Sequence, residues 1–467
     1  MTYSYPAEVF SEFGRNATHR DDSSLPCEGH VLPVTFWLRS NATGSELVSR
    51  TRLKVQEVAS SHRTLFPLHS PSIALCLLMA LCLCVSIGHA ENSFFDSKKT
   101  DLTPPQSVQR QPTDWHYGLY LDLSYPVDFN FPENHRWRSK VTTQRVNELT
   151  PNMALGYVRK DAEESSRWGM EFAVQGGYDV TGQVPNASLR YGDPYSDADT
   201  FSHFSRANVS YLAPIGTGLK LTAGLFNSFI GYESFYAKDN FNYTRAYLPD
   251  YSPYFMFGLS AQYQITEAVK SVFYVINRFN FLSAPNHLPA YGTQVSWAAS
   301  SRITLTQNFY YGPDQSNTDL RYWRFFSDSS IQWKRDNLTI AFVYDIGTER
   351  AIPEAGGQRV FWTGSAIYTH WQFAKTWALA IRPELYYDPN GTMTGARQFI
   401  KAITTTLEYK LPIAATITRL RMEYRYDDST GAQGGFFKGG EISLGVIGLT
   451  QAQHLLIAAL LWTYDSP

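Results

Sequence analysis

From Trp115 onward the chain alternates apolar and polar residues with a period of two. Trp115, Tyr117, Leu119, Leu121, Leu123 and Tyr125 fall on one side, and His116, Gly118, Tyr120, Asp122 and Ser124 on the other. The pattern returns around Trp168–Tyr178, Phe255–Ile265, Leu338–Ile346, Trp377–Leu385 and Leu420–Tyr426. Each run of about 8–12 alternating residues predicts a strand with one apolar and one polar face. The connections alternate as well. Short ones at 161–166, 214–218, 266–267, 300–301, 335–337, 374–375 and 411–413 are interleaved with longer Gly-, Asp-, Asn- and Pro-rich ones at 126–150, 179–203, 231–253, 278–289, 312–321, 347–359, 388–397 and 427–450.

This rhythm predicts an all-β transmembrane antiparallel barrel with short periplasmic turns and long outer loops, of about 16 strands within a range of roughly 14–18. The last strand is expected at Gln453–Tyr464. Ile442–Ile447 is left in the last loop, since an odd strand count would put the C-terminus outside the cell. Trp115, Tyr125, Trp168, Tyr178, Trp323, Trp333, Trp377 and Trp462 gather near strand ends, as interfacial girdles do. A soluble propeller would bury one strand face equally well, but no repeat of about 40–50 residues is visible.

Composition sharpens the barrel reading. Charged residues make up 18% and aromatics 15%, with a net charge of −2. Mean hydropathy is −0.28, too polar for a bundle of membrane helices. Few charges and many aromatics suit a wall with one lipid face and one wet face. The near-zero net charge excludes a basic nucleic-acid scaffold. All four cysteines lie at or before Cys84, so cysteine-based metal, disulfide or nucleophile chemistry is excluded downstream.

The 15-residue apolar run Ile73–Ile87 follows His62-Arg63 and precedes Gly88-His89-Ala90. It reads as a signal peptide over 63–90 with cleavage between Ala90 and Glu91. Residues 1–62 are expected to be an unstructured leader or the product of a misplaced start, 91–112 a periplasmic tail, and 113–467 the barrel.

Several segments carry a family resemblance. They are Gly224-Leu-Phe-Asn-Ser-Phe-Ile-Gly-Tyr-Glu233, Asp239–Leu248, Trp362–Tyr368, Trp377-Ala-Leu-Ala-Ile-Arg-Pro-Glu-Leu-Tyr-Tyr-Asp-Pro-Asn-Gly391 and Arg421-Met-Glu-Tyr-Arg-Tyr-Asp-Asp-Ser429. In order and spacing, from about Trp115 to the C-terminus, they resemble the putative β-barrel porin-2 (OmpL-like) family of bacterial outer-membrane proteins. The resemblance implies a porin-like barrel in the outer membrane of a Gram-negative bacterium.

Enzymatic signatures are missing from the sequence. No phosphate loop, Gly-x-Ser-x-Gly elbow or His-Glu-x-x-His occurs, and His116, His135, His203, His287, His370 and His454 each stand without a nearby motif serine. Asp193, Asp197 and Asp199 lack EF-hand spacing and read as a solvated loop, so no metal or cofactor is expected. The chemistry falls to the wall. A lipid-facing Arg or Lys costs about 2–4 kcal/mol at mid-membrane. Arg382, Glu384, Arg419, Arg421, Glu423 and Arg425 are therefore expected to line the pore, either bracing it by pairing or forming a basic ladder that favours anions. The expected activity is passive diffusion of small hydrophilic solutes. The alternatives are a plugged structural or adhesin barrel and, last, an outer-membrane hydrolase. The long connection 231–253 could fold inward or stand outside. Expected partners are outer-membrane lipid, small solutes and the barrel-assembly machinery, with a homo-oligomer such as a trimer left open and no nucleic acid.

Overall fold

The computed structural model describes residues 115–183, 203–279, 288–315, 320–351, 357–413, 415–443 and 446–466. The leader, the signal run with Ala90 and Glu91, the tail 91–112, His287 and the Asp193–Asp199 cluster lie outside the described residues.

The first half of the wall is β1 (His116–Asp128), β2 (Thr150–Lys160), β3 (Trp168–Gly176), β4 (Phe204–Ala213), β5 (Leu219–Asn227), β6 (Phe255–Gln264), β7 (Val269–Ile276) and β8 (Ala290–Ala298). The second half is β9 (Ile303–Pro313), β10 (Trp323–Arg335), β11 (Leu338–Arg350), β12 (Arg359–Trp371), β13 (Trp377–Asp388), β14 (Gln398–Leu411), β15 (Ile417–Thr430) and, after a hairpin, β18 (Ala452–Asp465). Each strand pairs antiparallel with the next, and β18 pairs with both β15 and β1 to close the barrel. The barrel has 16 strands, as the alternation predicts. Ile442–Ile447 falls in the separate hairpin of β16 (Phe436–Ser443) and β17 (Val446–Thr450), within the last loop. Closure removes the barrel's free edges, so its strands can satisfy one another's backbone groups inside the hydrocarbon layer.

Period-two patterning sets which way each side chain points. In β1, Leu119 and Leu121 are half exposed while Tyr120 and Asp122 are buried at 1% and 0%. Leu119 and Leu121 thus face lipid. The same parity holds on β11, where Phe342 and Tyr344 face out and Val343 and Asp345 face in. The first and last strands share an end with the short turns, because Gly118 pairs with Asp465. That end is periplasmic.

The lumen is filled mostly by the chain itself. The connection 228–254 between β5 and β6 turns inward, carrying a short 3-10 turn (Ala237–Asp239) and a one-turn helix (Tyr247–Asp250). Most of it is buried, including Phe229, Phe235, Tyr236, Tyr243, Tyr247, Leu248 and Tyr251. Small wall residues make its seats. Phe229 stacks on Tyr274 with ring centroids 4.1 Å apart and lies over Gly292, where a Cβ would overlap its ring. Leu248 lies over Gly364. The β1–β2 connection packs against the same loop, with Trp137, Lys140 and Val146 buried.

Candidate functional site

A loop held inside a barrel must have its backbone N–H and C=O groups satisfied, since water cannot reach them. Here the wall supplies the partners, and they are the charged residues the sequence singles out. Arg382 on β13 donates from Nη1 to Glu233 Oε1 at 2.7 Å and to the carbonyl of Thr244 at 2.6 Å. Glu384, two residues on, accepts from the backbone N–H of Tyr247 at 2.6 Å and pairs with Arg425 at 3.0 Å. On β15, Glu423 accepts from the N–H groups of Tyr243 and Thr244 at 2.7 and 3.1 Å. Arg425 donates to the carbonyl of Arg245 at 3.1 Å and to Asp427 at 2.8 Å. Arg421 spans three loop carbonyls, those of Ala237, Asn240 and Asn242, at 2.7, 2.7 and 3.1 Å, and pairs with Glu408 at 2.7 Å. Arg419 is the least enclosed; it donates to the Lys238 carbonyl at 3.1 Å and lies 3.5 Å from Glu408.

All six singled-out residues therefore sit on the inner face, and one inward loop gathers all six beneath it. Arg382, Glu384, Glu423 and Arg425 are essentially closed off from solvent. The loop contributes its own charges. Arg245 pairs with Asp179 of the short helix after β3 at 2.7 Å, and Asp250 pairs with Lys140 of the first long loop. Burial pushes the Lys140 ammonium below the usual lysine range, and the Asp250 carboxylate opposes that shift. Tyr243 reaches the far wall, donating to Asp122 on β1 at 2.8 Å. Tyr232 donates to Gln332 on β10 at 2.7 Å, so the loop bridges opposite sides of the barrel.

The periplasmic half of the lumen is different. Inner residues such as Ser260, Gln262, Gln294, Thr306 and Gln332 are partly exposed and uncharged. Among them stand four lysines missed by the sequence reading: Lys220 on β5, Lys270 on β7, Lys334 on β10 and Lys410 on β14. Each is the second residue from the short-turn end of its strand and shares parity with inward neighbours. None forms an ion pair among the described residues. The signal was present, since all four fall on polar faces of alternating strands. They stand singly on four strands, and only the register gathers them at one level.

The histidines are dispersed. His135 and His203 face backbone carbonyls of Val146 and Gln175, His454 bonds the Tyr424 hydroxyl, and His370 stacks on Phe241 at 4.6 Å. Among the described residues no cluster of three or more His, Cys, Asp or Glu groups could hold a metal.

Residues 115–461 match the profile of the putative β-barrel porin-2, OmpL-like family. The chain belongs to that family. It is a porin-like barrel of the outer membrane. No match was found among curated proteins. Among solved structures, an anion-selective porin from Comamonas acidovorans is 8% identical, covering 75% of this chain and 100% of its own at a TM-score of 0.46. A Salmonella typhi OmpF complex with daunomycin is 10% identical, covering 76% and 97% at 0.46. The outer-membrane channel DcaP of Acinetobacter baumannii is 8% identical, covering 76% and 97% at 0.45.

Proposed function

We propose that this porin-family barrel is a channel for passive diffusion of small hydrophilic solutes, with the inward loop 228–254 as its constriction and no catalytic step. The observation that carries the reading is the division of the lumen: a loop-filled outer part above a periplasmic vestibule lined by neutral polar side chains and unpaired lysines. The six charges Arg382, Glu384, Arg419, Arg421, Glu423 and Arg425 act chiefly as braces, because their hydrogen bonds end on the loop, on each other or on neighbouring wall residues such as Glu408 and Asp427. Mild anion preference then comes from the vestibule, where a lysine excess raises anion occupancy.

Single-channel recording in a planar bilayer tests the first part. Folded protein is expected to give discrete steps of small conductance. A second reading, a barrel closed by its loop, is favoured by the near-complete burial of residues 242–251, and reproducible silence from folded protein would establish it. The selectivity has its own test in a salt gradient. Replacing Lys220, Lys270 and Lys334 together by Gln is expected to cut the anion-to-cation permeability ratio roughly twofold, with a smaller effect at high salt. An unchanged reversal potential would remove these lysines from selectivity.

Self-association is proposed on a separate observation. Gln307, Ser327 and Ser329 face outward in mid-strand and hydrogen-bond one another at 3.0 and 2.6 Å. Polar groups at that depth are better placed against a second copy than against lipid tails.

A further inference from the structure

One cleft at the periplasmic mouth has a composition that bracing does not explain. It has a volume of about 290 Å³ and lies between the loop at 238–241, the β12–β13 turn and the ends of β14 and β15. Five cations line it, Lys238, Lys375, Lys410, Arg419 and Arg421, against two carboxylates, Asp239 and Glu408. Both carboxylates are already engaged. Asp239 holds Lys238 at 2.8 Å, and Glu408 is shared by Arg421 at 2.7 Å and Arg419 at 3.5 Å. Lys375 and Lys410 have no ion-pair partner among the described residues, and Arg419 has only a long, shared one. The cleft therefore carries an uncompensated charge of about three.

Bracing accounts for Arg419 and Arg421, which donate to loop carbonyls, and leaves Lys375 and Lys410 unexplained. We infer that this cleft is a binding site for a small solute carrying two oxyanion charges, a phosphate or a short dicarboxylate. Two lysine ammoniums on different elements suit two separated anionic groups or one divalent head. Lys375 comes from the β12–β13 turn and Lys410 from the end of β14. The neutral donors Asn240, Gln372 and Thr376 line the same cleft. The volume admits a solute of a few heavy atoms and excludes a nucleotide or an oligosaccharide. The site rests on the channel reading in one respect, since it opens on the path that reading gives to solutes. It would concentrate dianions at the exit of the constriction.

Calorimetry on the full-length protein folded in detergent tests the site without needing an open pore. Inorganic phosphate and succinate are titrated separately at low ionic strength. The expected result is saturable binding of one or both, with chloride competing only weakly. Which of the two binds more tightly tells a phosphate site from a dicarboxylate site. In Lys375→Gln/Lys410→Gln, affinity should fall by about tenfold, since each charge-assisted contact carries on the order of half of that loss. Both lysines are exposed at strand ends, so heat-modifiable migration of the variant should match wild type. No saturable heat from wild type, or equal affinity in the folded variant, would overturn the site. Planar-bilayer current is recorded on the same preparations. Binding without current would overturn the channel and leave the site standing, whereas current without binding would do the reverse.

Discussion

Replacing residues 229–253 by a short Gly-Ser link should raise single-channel conductance several-fold and leave the barrel folded. The loop is the main occupant of the lumen, and it reaches from Asp122 on β1 to Gln332 on β10. Its removal would clear a path that the closed ladder of 16 strands does not depend on. Conductance scales with the open cross-section, and a barrel of this strand number can enclose an aqueous channel. The freed wall charges would face water, so they would lose partners without an unpaired burial penalty. Arg382, Arg421, Arg425, Glu384 and Glu423 would then line the pore directly. The truncated channel should also show a selectivity set by that group, unlike the parent. Heat-modifiable migration on gels checks folding, and planar-bilayer recording checks the opening. Unchanged conductance from a folded truncation would mean that another segment closes the lumen.

The barrel was legible because lipid imposes a rule on every second residue. Leu119 must face out and Tyr120 must not, and the same parity repeats through Leu420 and Arg421. The strand count followed from parity as well, which placed Ile442–Ile447 in the last loop, where β16 and β17 now stand. The inward loop was not legible. Its nine aromatics from Phe229 to Tyr254 suit either a buried plug or an exposed binding surface, and no periodicity decides between them. What decides is complementarity between distant segments: Glu423 to the N–H groups of Tyr243 and Thr244, Arg421 to three carbonyls, Gly292 beneath Phe229. Local sequence contains no trace of such pairs. The arginines drew notice because three of them share one strand. Lys220, Lys270, Lys334 and Lys410 escaped it because neighbouring strands, not neighbouring residues, bring them level.

Arg382→Gln should undock the loop before it harms the barrel. The side chain is fully buried and holds both Glu233 and the Thr244 carbonyl, while Glu384 lies 3.3 Å away. Breaking a buried pair by removing one partner costs about 3–5 kcal/mol, because the remaining charge is left uncompensated. Glu233 keeps only the Ala246 N–H at 2.7 Å and a long contact with Tyr368, whereas Glu384 keeps Arg425 and the Tyr247 N–H. The loss therefore falls on the loop side of the network. The ladder hydrogen bonds of β13 with β12 and β14 do not involve the guanidinium, so the strands should stay paired. The expected phenotype is a noisier, larger conductance and faster proteolysis within residues 228–254, with barrel unfolding in urea little changed. Glu233→Gln combined with Arg382→Gln should recover part of the loss, since removing both charges also removes the uncompensated one. If the double variant is as damaged as the sum of the singles, the two residues act independently, and the loop is held in place by its apolar seats, Phe229 on Gly292 and Leu248 on Gly364, instead.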